Sequence, residues 1–109
     1  MKQKIFVLTV IAIASAGVGV AADISVTWAQ NCASCHGKDG SGNTTMGKKL
    51  GLKDYHDAKL QAAFSDGEAE RAIKEGVRTN GKETMKPFGS KLSGADIKAL
   101  VAYIRSFKK

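Results

Sequence analysis

The sequence predicts an all-α fold, on three observations. Two segments, one in the middle of the chain and one at its end, combine capping residues with apolar positions three and four residues apart. No stretch alternates convincingly between polar and apolar residues, as a half-buried strand would. No repeat, low-complexity tract or linker divides residues 23–109. We therefore expect a small helical domain of three or four helices with no sheet.

Residues 1–22 are predicted to be a secretory signal peptide, and residues 23–109 the folded domain. Lys2 and Lys4 precede an apolar stretch at 5–20, and small residues at 20–22 offer a cleavage site before Asp23. The alternative is an uncleaved membrane anchor, because the apolar stretch is only slightly shorter than the ~20 residues that a spanning helix needs. After cleavage we expect no stable membrane insertion.

The charge of the predicted domain is basic. Of the 17 Lys and Arg side chains only Lys2 and Lys4 precede Asp23, and the 10 acidic side chains all lie at or after it, so residues 23–109 carry a net +5. A basic protein attracts acidic partners. Nucleic acid is not expected as a partner, because no base-reading motif is present and an exported chain meets little of it.

The first helix is predicted near the start of the domain and is expected to run to about Cys35. Its apolar positions at helical spacing are Val26, Trp28, Ala29, Cys32 and Ala33. Four glycines between 37 and 47 are expected to end it and to form a loop. A short helix is predicted next, with Asp57 as its N-cap.

The best-marked helices come later in the chain. Ser65 and Glu68 have the spacing of a capping box, which predicts a helix over 65–75. Residues 77–92 lose helical periodicity and contain Asn80-Gly81 and Pro87, so they are predicted to form a long loop. Ser93 begins the last predicted helix, whose apolar face is Ile97, Leu100, Val101, Ile104 and Phe107.

Cys32 and Cys35 are followed directly by His36, giving the spacing C-x-x-C-H that marks covalent attachment of a c-type haem. On a helical turn, residues three and four apart share a face, so both thiols can form thioethers with the haem while His36 faces the iron. A thioredoxin-like motif is an alternative that needs neighbouring strands. A zinc site is another, but it lacks a fourth ligand unless His56 supplies it.

The second axial ligand decides what the haem does, because an iron with six ligands transfers electrons whereas an open position binds small molecules. The candidates are Met85, Met46 and His56. Met85 lies in the long loop before the last helix, far enough from His36 to return over the opposite face of the haem. We therefore predict Met85, with Met46 packing near the haem and His56 exposed.

These features together resemble the small bacterial class I cytochromes c. The resemblance rests on Cys32 to Gly37 near the start, on Met85-Lys86-Pro87-Phe88 in the distal loop, and on residues 100–104 in the last helix. It implies that the first and last helices cross, with Trp28 against Leu100 and Tyr103. Relatives often use a proline carbonyl after the motif to hold the ring N–H of the proximal histidine. No proline follows His36 in that stretch, so this sequence departs from the family pattern at that position.

The resemblance implies a soluble periplasmic electron carrier with one covalent haem c and its iron, which is not an enzyme. We expect a monomer whose donor and acceptor are acidic redox proteins. Two alternatives remain open: a resident haem subunit of a respiratory oxidase or dehydrogenase, and a haem sensor or peroxidase with an open sixth position. The lysines expected around the haem edge are Lys38, Lys48, Lys49, Lys82, Lys86 and Lys91.

Overall fold

The computed structural model describes residues 2–5, 7–10 and 23–109. Most of the predicted signal peptide, including the centre of its apolar stretch, lies outside the described residues. Among the residues that are described, no helix is both long enough and apolar enough to cross a bilayer.

Six helical segments and one hairpin make up the described part of the chain. In chain order they are α1 Ile24–Asn31, α2 Ala33–His36, α3 Thr45–Leu50, α4 Ala58–Ala62, α5 Asp66–Glu75, β1 Val77–Thr79, β2 Lys82–Met85 and α6 Gly94–Ser106. The helical fold class is confirmed. The helices are more numerous and shorter than the three or four predicted.

The absence of a sheet was a wrong expectation, since β1 and β2 form an antiparallel pair inside the predicted loop. Asn80 and Gly81 connect the strands with φ values of 52° and 76°. Positive φ at both central residues is the geometry that matches the twist of a two-residue hairpin. β1 is exposed at all three positions and only the last two residues of β2 are half-buried, so the hairpin leaves no period-two pattern in the sequence.

The capping predictions for the later helices are confirmed. Ser65 and Glu68 form a reciprocal capping box at the start of α5, and Ser93 and Asp96 form another at the start of α6. Asp57 accepts from the Lys59 amide at the start of α4. Each box satisfies backbone N–H groups that the first helical turn leaves without partners.

The first helix is interrupted, unlike the prediction. α1 ends at Asn31, Cys32 has φ −120° and ψ −35°, and a single turn, α2, then carries the chain to His36. The glycine-containing segment also folds further than predicted. Thr44 caps α3 by accepting from the Gly47 amide, and Gly51 ends α3 in the left-handed conformation.

The core lies where α1 and α5 pack on α6. Its buried apolar members are Trp28, Cys32, Ile73, Phe88, Ile97, Leu100, Val101 and Ile104. The Trp28 ring lies 5.7 Å from that of Tyr103 and 5.2 Å from that of Phe107, measured between centroids. The predicted contact between the first and last helices is therefore confirmed. Such aromatic pairs add about 0.5–1.5 kcal/mol beyond area burial.

Candidate functional site

A cavity of about 430 Å³ opens between the helices, within the usual size range of ligand pockets. Its walls come from α1, α2, α4, α5, α6, the segment at 51–55 and the end of β2. The lining residues are Trp28, Cys32, His36, Gly51, Leu52, Lys53, Tyr55, Leu60, Phe64, Glu68, Ala69, Ala72, Ile73, Met85, Leu100 and Ile104. Most of these side chains are apolar, so the cavity suits a large apolar group.

A second cavity of about 200 Å³ lies on the side of the cysteine turn and the distal loop. Cys32, His36 and Met85 line both cavities, and Cys35 lines this one. The four predicted site residues therefore meet at adjoining spaces. They come from two parts of the chain, the α1–α2 turn and the end of β2.

His36 is the last residue of α2 and enters the large cavity between two aromatic rings. Its ring stacks on Tyr55 at 5.4 Å with an interplanar angle of 19°, and the Trp28 ring lies 5.7 Å away. Burial lowers the pKa of His36 because it disfavours the imidazolium. A neutral imidazole keeps a nitrogen lone pair for a metal.

The two ring nitrogens of His36 differ in their surroundings. Nδ1 is buried and has no hydrogen-bond partner within the described residues. Because Nδ1 is enclosed by protein, Nε2 is the ring nitrogen available to bind a group in the cavity. The missing partner of Nδ1 agrees with the absence of a proline after the motif.

Cys32 is buried whereas Cys35 is half-buried, and both are free thiols. Burial, with a smaller contribution from Cys35, raises the pKa of the Cys32 thiol to about 11. A thioredoxin-like motif needs the opposite, a thiol whose pKa is lowered. No strand adjoins the motif in the described chain, and no cluster of three metal-ligating side chains occurs there either. Neither the thioredoxin-like nor the zinc alternative gains support.

The short helix α3 holds the cysteine turn in place. The Thr44 hydroxyl donates to the Cys35 carbonyl at 2.6 Å and accepts from the Gly47 amide at 2.8 Å. Gly47 itself is buried against the turn: a Cβ added there would lie 2.6 Å from the Cys35 carbonyl oxygen. The backbone of α3 therefore lies so close to the cysteine turn that no side chain fits at Gly47.

Met85 ends β2 and is half-buried at the cavity edge. Its strand pairs with β1, opposite Val77. After Met85 the chain is fixed to the end of α5, since the Phe88 amide donates to the Ile73 carbonyl at 2.9 Å and the Gly89 amide to that of Lys74 at 3.0 Å. The distal segment is thus anchored on both sides of Met85.

The other two distal candidates lie elsewhere. Met46 is 42% exposed and lines neither cavity. His56 also lines neither cavity, and its Nδ1 lies 2.7 Å from Asp54 Oδ1, with its ring edge-on to Phe107. His56 is half-buried rather than exposed as predicted. Its position beside Asp54 removes it from the candidate site.

Sequence reasoning missed Tyr55, which stacks on His36, and Lys53, which lines the large cavity. Both lie in a connecting segment without periodicity, so no sequence pattern marks them. Of the six lysines predicted near the haem edge, Lys86 and Lys91 line the second cavity. The other four line neither cavity.

The residues present fit a haem held by thioethers. The donor set is two thiols and a buried neutral imidazole, with a thioether sulfur in the same cavity, and these are ligand types that haem proteins use. The cavity walls are mostly apolar, which matches the porphyrin.

Comparisons with known proteins agree with this chemistry. A family model described as cytochrome c oxidase, cbb3-type, subunit III matches residues 19–104. The chain is 39% identical over 80 residues to cytochrome c6 of Picosynechococcus sp., covering 71% of this chain and 64% of that protein. It is 33% identical over 78 residues to cytochrome c-554(547) of Halothiobacillus neapolitanus, covering 72% and 86% respectively.

A solved structure titled KustC0563 c-type cytochrome has a TM-score of 0.71 and 40% sequence identity. The likeness covers 80% of this chain and 99% of that one. Cytochromes c carry a covalently bound haem c with its iron, and they transfer electrons rather than transform a substrate. The chain therefore belongs to the cytochrome c family, as a small class I cytochrome c with one haem.

Proposed function

We propose that this protein is a soluble periplasmic electron carrier in which Cys32 and Cys35 form the haem thioethers and His36 and Met85 are the axial ligands. One observation carries the proposal. Met85 lies 49 positions beyond His36 in the sequence, yet both side chains line the same apolar cavity. Met46 and His56, the other candidates, do not line it.

Each residue has a distinct task in this proposal. The cysteines fix the group covalently, and the neutral imidazole of His36 binds through Nε2. The Met85 thioether favours a more positive potential than a second histidine would. The apolar walls exclude water and disfavour the extra charge of the ferric form. When bound, the haem iron supplies a one-electron couple between its ferrous and ferric states.

The absorption spectrum of the purified protein tests the ligand assignment. We expect the weak sulfur-to-iron band near the red end of the visible spectrum in the oxidised protein. This band is expected to vanish in Met85→Ala and to survive in Met46→Ala, the matched control. Rapid carbon monoxide binding to the reduced wild-type protein, with no such band, would instead indicate an open sixth position and a sensor or peroxidase.

Export is tested by the intact mass of the purified protein. Cleavage after Ala22 is expected to leave a chain that begins at Asp23 and carries one haem. A mass that retains residues 1–22, together with recovery in the membrane fraction, would favour the anchored alternative.

A second candidate function is a resident haem subunit of a respiratory complex, which the description of the matching family model favours. Purification under gentle conditions distinguishes the two functions. A free carrier is expected to elute alone as a monomer, whereas a subunit would copurify with an oxidase or a dehydrogenase. The acidic redox partners that we expect for a free carrier are inferred from the basic charge of residues 23–109.

A further inference from the structure

Arg105, near the end of α6, makes more polar contacts than any other side chain in the described residues. Its guanidinium donates to the backbone carbonyls of Gln61 and Phe64, the latter at 2.7 Å. It also donates to Gln61 Oε1 at 3.0 Å and to Asp66 Oδ1 at 2.9 Å. The guanidinium carbon lies 4.3 Å from the centre of the Phe64 ring. One side chain therefore reaches α4, the turn after it and the start of α5.

Gln61 extends this set of contacts into the core. It is the one buried polar side chain among the described residues, at 4% exposure. Its amide nitrogen donates to the Tyr55 carbonyl at 2.8 Å and to the Ile104 carbonyl at 2.9 Å. Tyr55 in turn stacks on His36. The contacts of Arg105 thus lead through Gln61 to the ring beside the proximal histidine.

Helix α4, which Arg105 and Gln61 hold, has little stability of its own. α4 has five residues, and so short a helix does not form without tertiary contacts. Its last carbonyls have no partner within the helix, and Arg105 supplies donors to two carbonyls at and just beyond its end. Leu60 and Phe64, which belong to this segment, form part of the cavity wall.

We propose that Arg105 is a positioning residue for the haem cavity: it holds α4 and Phe64 against α6 and so keeps the Leu60–Phe64 side of the cavity closed to water. The inference rests on haem occupying the large cavity, and it does not depend on which residue is the distal ligand. The Arg105–Asp66 ion pair contributes little to this task, because its two side chains are 30% and 70% exposed. The hydrogen bonds from Arg105 to the backbone carbonyls hold α4 and Phe64 against α6.

The fork of the guanidinium gives a sharp test, because lysine keeps the charge but cannot reproduce several donors in one plane. In the purified holoprotein we expect Arg105→Lys and Arg105→Gln both to lower the reduction potential, since water that enters the cavity favours the ferric form. We also expect carbon monoxide to bind the reduced variants severalfold faster than wild type. Asp66→Asn and Lys108→Gln are the controls, and both should stay within error of wild type.

Three outcomes would overturn the proposal. If Arg105→Lys melts at a lower temperature but keeps the wild-type potential and carbon monoxide rate, Arg105 serves stability alone. If only Arg105→Gln shifts the potential, the charge matters and the fork does not. If Lys108→Gln shifts it equally, the effect is general electrostatics.

Amide hydrogen exchange of the wild-type holoprotein covers the case in which Arg105→Gln does not fold. The amides of residues 61–64 are expected to open together with α6, and independent faster opening would contradict the proposal. The spectral band of the wild type tests the ligand assignment separately. Failure of the proposed function and failure of this inference are therefore distinguishable.

Discussion

Gly47 lies where α3 crosses the turn that carries the two cysteines, and its lack of a side chain decides how close the crossing is. An added Cβ would lie 2.6 Å from the Cys35 carbonyl oxygen and nearer still to that of Gly42. Both neighbours are main-chain atoms, so making room for the Cβ requires a displacement of the backbone. We expect Gly47→Ala to lower the free energy of unfolding of the holoprotein by about 3 kcal/mol, the upper end of typical overpacking costs.

Denaturant titration of the holoprotein measures this loss. Gly94→Ala is the control, since an added Cβ there meets nothing within 4 Å and Gly94 lies in the first turn of α6. We expect Gly94→Ala to leave the free energy of unfolding unchanged or slightly raised. Equal stability of the two variants would show that α3 adjusts at no cost.

Trp28 combines ring packing with one buried hydrogen bond. Its indole Nε1 donates at 2.9 Å to the carbonyl of Gly37, the residue directly after His36. Trp28→Phe keeps an aromatic ring but leaves that carbonyl without its donor, at a cost of about 1–3 kcal/mol. We expect a corresponding loss in the free energy of unfolding, measured by denaturant titration.

The matched control for this change is Tyr103→Phe. Tyr103 contacts the same indole, and no hydrogen bond of its hydroxyl occurs within the described residues. The control should therefore be close to wild type in stability. A loss as large as that of Trp28→Phe would show that removing a polar group from this aromatic cluster costs as much without any bond to Gly37, and would contradict the assignment of the Trp28→Phe loss to that bond.

Single residues differ in how far the sequence predicts them. Cys32, Cys35 and His36 are predicted because covalent attachment demands a fixed local spacing. Met85 is predicted as a haem ligand from its distance along the chain and its position before the last helix, and the spectrum of Met85→Ala tests that prediction. Tyr55 is not predicted, because its stacking on His36 depends on how a connecting segment folds back, which no local pattern encodes.

At the scale of elements, a helix is predictable where the residues at its own ends mark it. α5 and α6 are predicted closely because Ser65 and Ser93 begin capping boxes that act within one helical turn. α3 was missed although Thr44 and Gly51 mark both its ends, because four glycines in 37–47 favoured a loop. The hairpin was missed despite Asn80-Gly81, since its mostly exposed strands leave no apolar alternation.

The hairpin and α5 together position the segment that carries Met85, and Gly76 joins them. Gly76 has φ 77° and ψ −179°, a conformation essentially limited to glycine. An added Cβ would lie 2.6 Å from the Met85 carbonyl oxygen and 2.9 Å from the Pro87 nitrogen. We expect Gly76→Ala to displace the Met85 backbone, so that the sulfur-to-iron band is lost well below the unfolding temperature.

Heating the oxidised holoprotein while recording this band and the helical circular dichroism tests the expectation. Gly81→Ala is the matched control, with a similar φ of 76° but no atom within 4 Å of the added Cβ. It should lose both signals together. Separate loss in both variants would show that strain in the hairpin, and not contact with Met85, loosens the segment.

At the scale of the whole molecule, the cavity depends on contacts between distant parts of the chain. α1 and α6 lie at opposite ends of the described domain, yet their packing brings Trp28, Leu100 and Ile104 to one wall. The sequence predicts this crossing only through the family resemblance, because helical periodicity specifies which face is buried and not which partner covers it.

The charge of the whole molecule bears on its encounters with partners. Lys86 and Lys91 are exposed and line the second cavity, beside the cysteine turn and Met85. A positive edge accelerates association with anions, and salt weakens the effect once charges are separated by more than a Debye length of about 10 Å at 0.1 M. We expect oxidation by anionic hexacyanoferrate to slow as ionic strength rises, and oxidation by a cationic cobalt complex to accelerate.

The position of the charge, and not only its sum, should determine the slope of this dependence. Lys86→Gln and Lys91→Gln are expected to reduce the salt dependence of the hexacyanoferrate rate more than Lys98→Gln, which removes an equal charge from α6 outside both cavities. Stopped-flow rates over a range of ionic strength measure the three slopes. If the slopes fall equally, net charge alone steers the anion, and electrons need not leave by the edge that Lys86 and Lys91 surround. If Lys98→Gln has the largest effect, the exposed edge of the haem lies on another face of the molecule.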